Sequence, residues 1–200
     1  KQTIKDQMFL EESGLSKELR SYSSGKGNII GICGGLQMLG VRLKDPYLKE
    51  GLNNNFFKSE INGIGILPLK TVFNRKKQTR QVNCRSLWPC EATINGFEIH
   101  NGRSKIVYKN MDLKIMPLFE DDNLGWYFEN NNGGSTAGTY IHGIFENDLW
   151  RESYINLIRN KKGLPILDKK IKNYKIKRDS IIENLAGQFN KYIDLSKFIT

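Results

Sequence analysis

The sequence predicts an α/β fold. Three observations carry that expectation. Residues 28–33 (NIIGIC) form a short apolar, β-branched run of the kind that makes a buried strand, and Gly34-Gly35 and the helix-forming residues 36–39 follow at once. Further short apolar runs recur between turn formers through the middle of the chain. Amphipathic stretches at residues 149–160 and 179–198 then close it.

Taken in order, Thr3 is placed to cap a helix carrying Met8, Phe9 and Leu10, with Gly14 as its stop. Ser16 starts a second short helix that ends near Ser23-Ser24-Gly25. Strand 28–33 and helix 36–39 come next. Residues 44–60 read as an irregular loop, broken by Asp45-Pro46 and Asn53-Asn54-Asn55. Residues 64–69, 70–73, 78–82 and 92–99 read as strands, and 106–108 and 125–128 as shorter ones. The NNNGG run at 130–134 is a hairpin turn, and 139–142 a final strand. Trp150, Tyr154, Leu157 and Ile158 share one face of the helix at 149–160, and Ile181, Ile182, Leu185 and Phe189 form a stripe in the last helix. No internal repeat and no long linker divides the chain. Residues 1–200 therefore read as one domain, with 150–200 as its mostly helical C-terminal part.

Composition narrows the classes. Two hundred residues suit one domain, and 38% apolar with 26% charged residues suits a globular chain with a core. Three cysteines are too few and too odd a number for a disulfide-stapled secreted scaffold. No run approaches the roughly 18 apolar residues of a membrane span, and the polar start carries no signal-peptide pattern, so a cytoplasmic protein is expected. Lys1 in place of a methionine points to a chain cut or processed from something longer. The net charge of +10 raises nucleic-acid binding, but the basic residues are spread along the chain and are densest only at 161–178. No zinc finger, RNP-like strand or basic zipper is present. The charge reads as solvated faces, and an inert module binding nucleic acid through its basic surface is the non-enzyme alternative.

The chemistry concentrates at Gly31-Ile32-Cys33-Gly34-Gly35-Leu36-Gln37. A cysteine between a buried strand and a helix, flanked by glycines, is a nucleophile elbow: the tight turn needs small neighbours and projects the side chain from the sheet edge. The N-terminal end of the following helix favours negative charge at the sulfur. The backbone N–H of Gly34 would face an oxyanion at the attacked carbonyl. A cysteine nucleophile needs a base, and the chain has two histidines, His100 and His142. Both fall at strand ends, and position alone does not choose between them. Cys84 and Cys90 lack a CxxC partner pattern and read as structural, with no metal site expected.

These residues resemble a known family. GICGGLQMLG (31–40), with Leu43, Asp45-Pro46 and Glu50-Gly51 after it, is similar to the nucleophile region of class I glutamine amidotransferase domains of the cobyric acid synthase type. GIGILPLKTVF (63–73), GFEIHNGRS (96–104), GTYIHGIFEND (138–148), the helix from Trp150 to Gly163, and the tail with Leu185-Ala186 and Ile193-Asp194-Leu195 continue the match in order. The resemblance implies a three-layer α/β sandwich with a largely parallel central sheet, flavodoxin-like, with its first strand missing here. It implies hydrolysis of L-glutamine through a cysteinyl thioester, the ammonia passing to an N-terminal synthetase domain of the same polypeptide. That domain would use ATP and Mg2+ to amidate corrin-ring carboxylates, taking cobyrinic acid a,c-diamide to cobyric acid. By the same resemblance Cys33 is the nucleophile and His142 the base. Gln37 helps hold glutamine, Glu98 is a candidate for its α-amino group, and His100 is site-adjacent.

Two departures stand out. Many class I amidotransferases carry a glutamate two residues after the catalytic histidine, where this chain has Ile144. A Cys–His dyad is therefore expected, with Glu146 or Asp148 as candidates to orient His142. The Pro-Gly loop that supplies a second oxyanion donor in the family precedes the stretch resembling Lys1-Gln2-Thr3 and is not in this sequence. Loss of one such donor costs about 10²–10³ in rate, so the isolated chain is expected to have little or no glutaminase activity. No GxxxxGK[ST] phosphate loop is present, so no cofactor is expected in this chain. Two related enzymes are the alternatives: the amidotransferase subunit of cell-wall lipid precursor amidation, which shares the elbow and dyad, and cobyrinic acid a,c-diamide synthase, which keeps a similar domain.

Overall fold

The strand that leads to Cys33 is the outer strand of a four-stranded sheet. The structure, a computed structural model, describes residues 2–48, 59–107, 114–167 and 173–193. Two helices open the chain, α1 (Thr3–Glu12) and α2 (Leu15–Ser24), with Gly14 in the left-handed conformation between them. Strand β1 (Asn28–Ile32) and the short α3 (Gly34–Leu39) form the expected strand–turn–helix. Then come β2 (Arg42–Lys44), β3 (Glu60–Asn62), the long strands β4 (Leu69–Ser86) and β5 (Ala92–Ile106), and β6 (Met116–Pro117), β7 (Gly125–Glu129), β8 (Ser135–Thr139) and β9 (Ile141–His142). A 3₁₀ turn (Ile144–Glu146), α4 (Asp148–Lys161) and α5 (Tyr174–Tyr192) complete the order.

One sheet runs β1-β8-β7-β6 and the other β3-β2-β4-β5-β9. The chain crosses between them at Tyr140, between β8 and β9. Alternation along the first sheet explains its layering. Ile30, Ile32, Ala137 and Tyr127 face a core with Leu118, Phe119, Ile141 and Trp150, while Ile29, Trp126 and Phe128 face another with Leu36, Leu39, Leu67 and Tyr140. A sheet with apolar side chains on both faces must be covered on both, which gives the α/β sandwich. Helix α3 lies close on β1 and β8: a Cβ on Gly31 would stand 2.6 Å from the Gly35 carbonyl carbon, and one on Gly138 would stand 2.4 Å from Leu36 Cδ1.

The α/β class holds, but the pairing is not largely parallel. Among the described residues β1–β8 and β2–β4 are parallel, whereas β2–β3, β4–β5, β5–β9, β6–β7 and β7–β8 are antiparallel. Short connections force this, since residues 87–91 and 130–134 leave room only for hairpins. The runs 70–73 and 78–82 belong to the single strand β4, and 92–99 is the first half of β5. Residues 64–68 are irregular despite their apolar run: their N–H groups bond across to Met38, Gly40 and Leu39 carbonyls, and Gly65 has φ 81°. Strand β8 and the short strands β2, β3 and β6 go beyond the sequence expectation, and the run 139–142, expected as one strand, is divided at Tyr140 between the end of β8 and β9. Asn53–Asn55, Glu50-Gly51, Tyr108 and everything past Ile193 lie outside the described residues. No helix among the described residues is long and apolar enough to cross a membrane.

Candidate active site

Cys33 follows β1 and caps α3 with φ 53° and ψ −106°. It is one of two described non-glycine residues with positive φ, the other being Leu48. A strained backbone of this kind persists only where the surroundings over-determine it, and such residues cluster at functional sites. Here the Cys33 N–H donates to the Thr139 carbonyl at 2.8 Å and the Cys33 carbonyl accepts from the Gln37 N–H at 3.2 Å. The turn is thus clamped between β8 and α3. The nearly buried thiol lies 3.6 Å from the Ile99 carbonyl on β5.

Three residues beyond Thr139 the chain places His142 at the end of β9, paired opposite Phe97 of β5. The two rings stack, with centroids 5.2 Å apart and planes 5° from parallel. Gly143, with φ 78°, then turns the chain into the 3₁₀ segment, a conformation that suits glycine. Cys33, Gly34, Gly35 and His142 line one cavity of about 650 Å³, within the usual range for small-molecule sites.

The other histidine is differently employed. His100 is buried, its Nδ1 2.6 Å from the Gly102 carbonyl oxygen and its Nε2 3.0 Å from Glu98 Oε1, and its ring stacks on Tyr140 at 3.8 Å. Both nitrogens meet acceptors, so both are engaged in holding β5 together. His100 is also among the residues that line the Cys33 cavity.

Glu98 does not line that cavity. It is buried on the opposite side of β5, bonded to His100 and paired with Arg80, beside a second cavity with Asp121, Asn123 and Tyr140. Strand alternation is the reason: Phe97, Ile99 and Asn101 point toward Cys33, and Glu98 points away. Gln37 is fully buried behind the nucleophile and does not line the cavity either. Its Nε2 donates toward the Tyr140 hydroxyl at 3.4 Å, and its Oε1 accepts from the Thr3 hydroxyl at 3.4 Å. Tyr140 in turn bonds Ser104 at 2.7 Å, and Ser104 bonds Thr71 at 2.7 Å. Burial pushes the Tyr140 hydroxyl up to about 12, against the opposing bonds to Ser104 and Gln37, so it remains protonated.

The two carboxylates considered for orienting His142 are held elsewhere. Glu146 pairs with Arg178 of α5 at 2.9 Å, and Asp148 accepts from Arg151 and from the Tyr174 N–H at 3.1 Å. Ile144 is completely buried in the core beside Trp150. Asp6, Lys77, Phe97 and Asn101, not anticipated from sequence, also line the Cys33 cavity. Asp6 had one legible signal: it lies one helical turn from Thr3, which lines the same cavity. Among the described residues no group of three or more His, Cys, Asp or Glu is placed to hold a metal ion.

Residues 1–150 match the CobB/CobQ-like glutamine amidotransferase domain. The chain is 63% identical over 200 residues to the cobyric acid synthase of Prochlorococcus marinus strain MIT 9215, and 58% identical over 199 residues to that of P. marinus subsp. pastoris strain CCMP1986. It is 43% identical over 199 residues to that of strain NATL2A. Each alignment takes in all of this chain but only 39% of the relative. The chain belongs to the CobB/CobQ-like glutamine amidotransferase family.

Proposed function

We propose that this chain is the glutaminase part of a cobyric acid synthase. The observation that carries the reading is the meeting of Cys33, on its strained elbow, and His142 at the wall of one cavity. The Cys33 thiolate attacks the amide carbon of L-glutamine, and the Gly34 N–H faces the oxyanion that forms. His142 gives a proton to the departing ammonia, then takes one from the water that attacks the thioester, releasing glutamate and restoring the thiolate. Gln37 acts from behind, tying α3 to Tyr140 and so fixing the turn that carries the nucleophile. His142 takes its orientation from its strand pairing and from Phe97.

The relatives' remaining length leaves room for the N-terminal synthetase domain, where ATP and Mg2+ would activate corrin carboxylates for amidation by the released ammonia. The test uses the intact polypeptide. Cys33→Ala should abolish amidation driven by glutamine and retain amidation driven by free ammonium. Survival of glutamine use in that variant would overturn the reading.

A further inference from the structure

We infer that Asp6 and Lys77 are the two charged ends of an α-amino-acid clamp beside the Cys33 thiol, Asp6 taking the substrate's ammonium group and Lys77 its carboxylate. The inference rests on the reading of Cys33 as the nucleophile and adds the residues that select a free amino acid.

Among the described residues that line the cavity, Asp6 and Lys77 are the only carboxylate and the only lysine or arginine. They come from different elements, α1 and β4, and each is exposed. Neither forms an ion pair with another described residue, so both charges remain available to a ligand. Glu98, by contrast, lies across β5 and is already matched by Arg80.

Lys77 owes its position to an irregularity in the hairpin. The β4–β5 register runs to Phe73↔Gly102 and resumes at Gln78↔His100, so residues 74–77 stand against Asn101 alone. A bulge of this kind bends its strand and re-aims side chains, and bulges favour the neighbourhood of active sites. Lys77 and Asn101 both line the cavity as a result, offering an ammonium and an amide to a carboxylate. Ile99 lines the same cavity and supplies an apolar surface suited to a substrate's methylene groups. The whole fits a short zwitterion with an amide at its far end.

The experiment measures amide hydrolysis by the intact protein with three substrates: glutamine, 4-carbamoylbutanoate (no ammonium group) and 4-aminobutanamide (no α-carboxylate). Asp6→Asn should raise KM for glutamine about tenfold or more, as expected for a lost charge-assisted hydrogen bond, with kcat within about threefold. It should leave KM for 4-carbamoylbutanoate unchanged. Lys77→Met should do the converse, sparing only 4-aminobutanamide. Equal weakening of all three substrates by either variant, or no change in glutamine KM, would overturn the clamp. Cys33→Ala run beside them separates the two readings. Hydrolysis that survives it removes the nucleophile assignment, whereas loss there with unaltered KM in both charge variants removes only the clamp.

Discussion

The imidazole of His142 lies flat against the ring of Phe97, with planes 5° apart and centroids separated by 5.2 Å. Phe97 keeps this place although it is 43% exposed, so packing into the core is not what it provides. It restricts the ring of His142. Phe97→Ala should lower kcat for glutamine hydrolysis by about ten- to hundredfold, the scale on which small misplacements act, with little change in KM. Phe97→Tyr should retain most of the rate. An alanine variant with parental kcat would show that the stacking is idle.

Gly31 is required by the approach of α3 to β1. A Cβ there would lie 2.6 Å from the Gly35 carbonyl carbon and 2.7 Å from the Leu36 nitrogen, both backbone atoms. Gly31→Ala should destabilise by about 1–3 kcal/mol through overpacking, seen as a lower urea midpoint. Gly35 has nothing within 4 Å of its added Cβ. Gly35→Ala should therefore leave the midpoint unchanged.

Tyr140 joins the two sheets through its hydroxyl. Tyr140→Phe removes the partner of Ser104 and of Gln37 Nε2 in a fully buried setting. The expected cost is about 1–3 kcal/mol, the range for leaving buried polar groups unsatisfied. Equilibrium denaturation checks it, and a midpoint equal to the parent's would show that the network contributes nothing net.

Burial pushes the Cys84 thiol up to about 11 from its ordinary 9.0, with Asp121 and Glu120 adding to the effect. At pH 8 the folded protein should carry about a hundredfold less Cys84 thiolate than the unfolded chain. Alkylation of Cys84 by iodoacetamide, read by peptide mass mapping, should be correspondingly slow until urea is added. The folded value is the raised one, so this group's contribution to stability is whole below about 9 and is lost as pH rises through 11.

The elbow was legible because its cause is local. Gly31, Cys33 and Gly34-Gly35 are contiguous, and a strand entering a helix through so tight a turn needs small residues at those places. The strand ends at His100 and His142 were legible for the same reason. What distinguishes the two histidines is how each ring is engaged: Glu98 and the Gly102 carbonyl, two positions to either side, hold His100, while Phe97, from a different strand, stacks on His142. Glu98 was expected at the site because the motif around it resembles the family's, yet its carboxylate is held by Arg80 and His100 and does not line the Cys33 cavity. Lys77 carried no signal, since its place depends on where a register slips between two long strands. Residues 64–68 misled because an apolar run reports burial and leaves the backbone conformation open.

The pairing of β1 with β8 joins Asn28 to Ser135, 107 residues apart in the chain. Two parallel strands so far apart cannot be brought together by a turn, and closing their ladder carries the entropy cost of a long loop. Cys33 receives its clamp from Thr139 through that same pairing, and His142 follows three residues beyond. A chain in which the β1–β8 ladder is open therefore lacks the clamp at the Cys33 turn. If Cys33 and His142 act as proposed, amide hydrolysis by the intact protein depends on that pairing, and its loss on denaturation should track the opening of the β1–β8 ladder.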